Sequence, residues 1–113
     1  MKIAVVLLCA GLLSCESASQ RQSKAEAERD ESAEIDARLA VARLMRDPDS
    51  AKFEGVIVVR DASDERAVCG SVNGANAMGG MAGARRFAVK SGHAEIEGDR
   101  DFEAFWGLVC RRA

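Results

Sequence analysis

The chain has 113 residues, 48% of them hydrophobic and 30% charged, with a net charge of −2. That fits one small domain plus something N-terminal to it and leaves too little chain for two cores. Twenty of the apolar residues are alanine and only five side chains are Phe or Trp, so the core is small. Sixteen basic against eighteen acidic residues leave no concentrated positive field, and no nucleic-acid partner is expected.

Met1 and Lys2 give a short positive start, and Ile3 to Leu13 follow as eleven residues without a charge. This pattern reads as an export signal. As a helix it spans about 16 Å, roughly half a bilayer core, too short to remain as a transmembrane segment. Leu12-Leu13-Ser14-Cys15 resembles a bacterial lipobox, in which a small residue precedes a cysteine that is thioether-linked to a diacylglycerol before cleavage. The resemblance implies a signal peptide over 1–14, lipidation at Cys15, and a membrane partner through that lipid. Two or more acyl chains anchor stably where one does not. Glu16 in place of Asp after the cysteine implies the outer membrane, facing the periplasm. The alternative is cleavage near Ser19, which gives a soluble periplasmic or secreted protein.

Residues 15–23 are polar, rich in Ser and Gln, and read as a flexible tether. Residues 24–46 lack Gly and Pro and are dominated by Ala, Glu and Arg, a helix-forming composition. Ile35, Leu39, Val41, Ala42 and Met45 form the apolar stripe expected to dock, and Glu34 and Arg38 form an i, i+4 ion pair. Asp47-Pro48 ends that helix and starts a short turn that delivers Phe53 to the core. Strands are expected at Val56–Arg60, Ala67–Val72, Arg86–Lys90 and His93–Glu97, with a tight hairpin turn at Ser91-Gly92. Phe102, Phe105, Trp106, Val109 and Cys110 recur at i, i+3, i+4, i+7 and i+8, which marks an amphipathic helix capped by Asp99 or Asp101. The fold class is α+β. A small antiparallel sheet of about four strands, in a domain over 47–113, is expected to be covered on one face by helices.

If Cys9 leaves with the signal and Cys15 takes lipid, Cys69 and Cys110 remain, and a cysteine pair in an oxidising compartment usually bonds. A domain of this size is marginal without a staple, and closing a separation of 41 residues contributes about 4 kcal/mol in the chain-entropy model. Two free thiols are the alternative. There is no Cys-x-x-Cys, which weakens a redox reading. One His and two Cys are too few for structural zinc. Neither a metal nor a cofactor is expected, and His93 reads as a surface residue.

Residues Gly70 to Gly83 hold five glycines and two asparagines, a long connection in place of a regular element. Asn73, Asn76, Gly79, Gly80, Arg85 and Arg86 are the candidate binding residues. Backbone N–H groups freed at Gly79 and Gly80 could join the arginines in an anion site. The structural alternative has the asparagines tying off the loop and the arginines covering the sheet edge. The phosphate-loop pattern is not matched.

Two stretches carry a resemblance. Asp47-Pro48-Asp49-Ser50-Ala51-Lys52-Phe53 is one. Cys69, Gly70, Val72, Asn73, Asn76, Gly79, Gly80, Gly83, Arg86 and Phe87 form the other. Together they resemble a set of small, uncharacterised bacterial proteins, many secreted or lipid-anchored. The resemblance implies no activity. Such proteins place aromatics where this chain has Met78, Met81 and Ala84, and the two methionines are expected to fill core space here.

These readings point to a non-enzymatic envelope lipoprotein that presents a small binding or structural domain to another envelope protein. One alternative is an inhibitor of a periplasmic hydrolase. Another is a small hydrolase using paired carboxylates among Glu95, Glu97, Asp99 and Asp101. A third is a spacer in which the 24–46 helix sets the distance from the membrane.

Overall fold

A computed structural model describes residues 3–61, 63–76 and 78–111, with side chains from residue 18 onward. The chain divides into two units, Met1–Glu31 and Ser32–Ala113. Helix α1 (Ile3–Leu44) makes up the first and contributes its last turns to the second. It therefore runs through residues 16–23, where the sequence predicts a flexible tether. No Gly or Pro stands between Leu12 and Asp47, so nothing local interrupts the helix. Among the described residues, no helix is long and apolar enough to cross a membrane.

The second unit is an α+β fold. After α1 comes a 3₁₀ turn at Pro48–Ser50, with Pro48 at its first position. Four strands follow: β1 (Lys52–Arg60), β2 (Arg66–Asn73), β3 (Arg85–Lys90) and β4 (His93–Ile96). Helix α2 (Phe102–Val109) closes the chain. The strands lie in sequence order and all pair antiparallel. Ser91 and Gly92, both with positive φ, form the two-residue β3–β4 turn, whose handedness matches strand twist. In β1 the register shifts between Glu54 and Ile57, and Gly55 takes φ +60° there, the signature of a glycine bulge.

Side-chain parity assigns the two helices to opposite faces of the sheet. Val68, Val72, Phe87, Val89 and Ile96 point to one face and form a core with Ala37 and Val41 of α1. Cys69 and Ala88 point to the other and pack with Cys110, Phe105, Trp106 and Val109. This corrects the expectation that both helices cover one face. Each face is apolar at its centre, so each needs its own cover.

The docking stripe of α1 also differs from the predicted one. Ala33, Ala37, Val41 and Met45 face the sheet, whereas Ile35 and Leu39 remain 51% and 53% exposed. The contact row is an i, i+4 series of Ala33, Ala37, Val41 and Met45, so the residues that face the sheet are mostly small. Substituting the larger residues into that row would hold the helix away. The predicted Glu34–Arg38 pair is present at 2.6 Å. Asp47 and Asp101 occupy the N-cap positions of the 3₁₀ turn and α2 without making side-chain capping bonds.

Candidate functional site

Cys69 lies in central strand β2, opposite Ala88 of β3, and Cys110 is the C-cap residue of α2. The two are disulfide-bonded, with their Cα atoms 6.1 Å apart. Both are buried. The amphipathic spacing of α2 presents Cys110 to the sheet, and the bond ties the last helix to the second strand.

The glycine-rich segment is closed by its own polar groups. Asn76 Oδ1 accepts hydrogen bonds from the N–H groups of Met78 and Gly80, at 2.9 and 3.1 Å. The Asn76 N–H donates to the Gly80 carbonyl at 2.7 Å. Asn73 Oδ1 accepts from the Gly83 N–H at 3.0 Å. Gly79 and Gly83 have φ of +82° and +105°, values that suit glycine. The asparagines thus serve the loop itself, an Asx-type use of the side chain. Met78 is 92% exposed and Met81 45%, so the expectation that they fill core space is corrected. The bonds that fix the turn at Asn76 leave Met78 at its tip.

Ser50 joins the two sequence stretches, a contact the sequence does not reveal. Its Oγ accepts from the Ala75 N–H at 2.8 Å and donates to the Asp47 carbonyl at 2.7 Å. Phe53 meets Phe87 edge to face with centroids 5.6 Å apart, a favoured aromatic geometry. Gly74 lies against Met45 and Ser50, where a Cβ would meet the Met45 methyl at 2.2 Å. The Asp-Pro-x-Ser-Ala-x-Phe stretch and the Cys-Gly-x-Val-Asn segment therefore form one joint.

The two candidate arginines part company. Arg85 is exposed. Arg86 is engaged: its guanidinium donates to Glu97 Oε2 at 2.6 Å and to Glu103 of α2, and it lies 5.1 Å from the ring centres of both Phe102 and Trp106. A cation held between two rings and two carboxylates is a clasp for α2. The hydrogen bond to Glu97 raises the pKa of Arg86, and the same bond holds the Glu97 carboxyl below its ordinary range. Of the six candidate binding residues, Asn73, Asn76 and Arg86 have structural partners, Gly79 and Gly80 shape the turn, and Arg85 is left facing solvent.

A second polar cluster closes the β1–β2 turn. Asp61 Oδ1 accepts from the backbone N–H groups of Ser63 and Glu65 and from Ser63 Oγ, at 2.9, 3.0 and 2.6 Å. Lys90 Nζ donates to Oδ2 at 2.9 Å. The Ser63 bonds first, then Lys90, hold the Asp61 carboxyl far below its usual range, and Asp61 in turn raises the pKa of Lys90. The sequence reads 61–65 only as a polar turn.

Of the paired carboxylates, Glu97 belongs to the Arg86 clasp. Glu95 has a 15% exposed side chain, with Oε1 3.3 Å from His93 Nε2, and its Oε2 is buried without a hydrogen bond. His93 sits edge-on to Phe105 at 5.1 Å. A shallow cavity of about 90 Å³ is lined by Lys52, Glu54, Ser71, Asn73 and Ala84. A wider groove of about 220 Å³ lies between Ala37 and Ala40 of α1 and the β3–β4 turn. Among the described residues, no three His, Cys, Asp or Glu side chains are grouped to hold a metal. Compared with family models, curated proteins and solved structures, the chain matches none.

Proposed function

We propose that the protein is a bacterial envelope lipoprotein, acylated at Cys15 and acting without catalysis, whose Ser32–Ala113 unit is a small binding or structural domain outside the cytoplasm. The closed Cys69–Cys110 bond carries this reading, since structural disulfides form and persist in oxidising compartments. It joins the charge-free run from Ile3 to Leu13 and the Leu12-Leu13-Ser14-Cys15 sequence, whose side chains lie outside the described residues. Glu16 directs the lipoprotein to the outer membrane, facing the periplasm.

Side-chain use supports the non-catalytic part. Glu97 and Glu103 engage Arg86, Asp61 engages Lys90, and the two asparagines close their own loop. These groups hold the sheet, the loop and α2 together. The partner is another envelope protein, met by Met78 of the braced loop and Arg85 at the start of β3.

Metabolic labelling with a palmitate analogue tests the anchor. Label is expected in the wild type and absent from Cys15→Ala; equal labelling of the two, or none in either, contradicts it. Pull-down from solubilised envelopes tests the loop. A partner is expected with the wild type and lost with Met78→Asp/Arg85→Glu, and unchanged recovery counts against the loop.

A further inference from the structure

The exported chain carries a cysteine conflict that the fold resolves. Beyond the leader it holds three thiols, Cys15, Cys69 and Cys110. Lipidation consumes Cys15 as a free thiol, and only one pairing among the three leaves it free. Chain statistics do not select that pairing. Cys110 lies 41 residues from Cys69 and Cys15 lies 54 from it, and loop-closure entropy distinguishes such lengths only slightly.

Selection comes from packing. The apolar face of α2, through Phe105, Trp106 and Val109, brings Cys110 onto Cys69 in the second core. Once seated, the two residues are 3% and 1% exposed, beyond the reach of a macromolecular oxidant. The bond therefore forms while α2 is still lifting from the sheet, and seating then seals it.

Resting on the lipoprotein reading, we infer that the Cys69–Cys110 disulfide reserves Cys15 for acylation. It removes both competing thiols and buries the product. The oxidant is a dithiol–disulfide oxidoreductase. A Cys69 or Cys110 thiolate attacks its disulfide and releases one thiolate. The second cysteine's thiolate attacks the mixed disulfide and releases the other, and the oxidoreductase leaves reduced by two electrons. At Cys15 the sulfur attacks the glyceryl carbon of a phospholipid. A C–S bond forms, the C–O bond to the phosphate breaks, and the thiol proton ends on the released phosphate ester.

The two cysteines differ in how freely they compete. Cys110 caps an eight-residue helix, whereas Cys69 sits in a strand paired on both sides. Cys69→Ala thus frees the thiol that the sheet's backbone bonds do not hold.

The test is palmitate-analogue labelling per chain, in a Cys9→Ala background, with non-reducing electrophoresis. Cys69→Ala is expected to lose label several-fold and to show Cys15–Cys110 cross-links within or between chains. Cys110→Ala should lose less. Cys69→Ala/Cys110→Ala, with no competitor left, should regain wild-type labelling despite its weaker fold, and added reductant should rescue Cys69→Ala. Wild-type labelling in Cys69→Ala, or a double variant as poorly labelled as the single one, overturns the inference while leaving the lipoprotein reading intact. An unlabelled wild type overturns both.

Discussion

The two faces of the sheet are held by different means. Against α1, the face is built of Phe87, three valines and Ile96 beneath a row of small helix residues, and its cohesion is burial and close packing. Against α2, the sheet presents the small residues Cys69 and Ala88 to Phe105, Trp106 and Val109 of the helix. To that packing are added a covalent bond and Arg86, clasped between the α2 rings and two carboxylates. One face is held by packing, and the other by packing reinforced with a covalent bond and an ion clasp.

Substitutions can break this contrast. Phe87→Ala removes a fully buried ring from the α1 face and should cost about 3–5 kcal/mol in a denaturant titration. A loss below about 1 kcal/mol would show that the face is not close-packed. Replacing both bonded cysteines by alanine should cost about 4 kcal/mol at most, the loop-closure contribution for a separation of 41 residues. The damage should begin at α2, seen as rapid amide exchange over 102–109 with strand protection retained. Uniform loss across the sheet would contradict a local staple.

Smaller effects sharpen the same contrast. Ala37→Leu, in the row that sets the approach of α1, should cost about 1–3 kcal/mol by overpacking. Leu39→Gln, on the exposed side of the same helix, should stay within about 0.5 kcal/mol. If the two behaved alike, the assignment of the docking row would fail.

The acid limb of stability separates the polar clusters from the cores. Asp61 and Glu97 have pKa values lowered by Ser63 and Lys90 and by Arg86 respectively. Such carboxylates contribute stability fully above their unfolded pKa, about 4. That contribution is lost as pH falls through the lower folded values. Asp61→Asn and Glu97→Gln should therefore flatten the decline in stability below about pH 4, and salt should weaken the effect in the wild type. Variants that decline as steeply as the wild type would rule these pairs out as the source.

Much of the fold was legible because local pattern and tertiary need agree. The i, i+3, i+4 spacing of Phe102, Phe105 and Trp106 locates α2, the β-branched run at Val56–Val59 locates the second half of β1, which begins at Lys52, and Ser91-Gly92 fixes the last hairpin. The cysteine count led to Cys69 and Cys110. The α1 face was misread because hydrophobicity alone ranks Ile35 and Leu39 above Ala33 and Ala37. The face by which α1 docks on the sheet reverses that order. The distribution of helices over both faces was hidden because strand parity becomes informative only once the register is known.

The candidate site was legible as residues and illegible as roles. Asn76 and Arg86 stand out in the sequence, but their partners, Gly80 and the Glu97–Glu103 pair, are fixed by the loop path and by where α2 docks. Ser50 carried no signal of its own. Its bond to Ala75 spans 25 residues, and nothing in the sequence announces a contact at that distance.

Intact-mass spectrometry of the protein extracted from envelopes, under non-reducing conditions, tests export, lipidation and the staple together. The expected species begins at Cys15, carries the diacylglyceryl group, and is lighter by the two hydrogens lost from Cys69 and Cys110. A species that begins at Met1, with no lipid and with both thiols alkylated without prior reduction, would contradict all three.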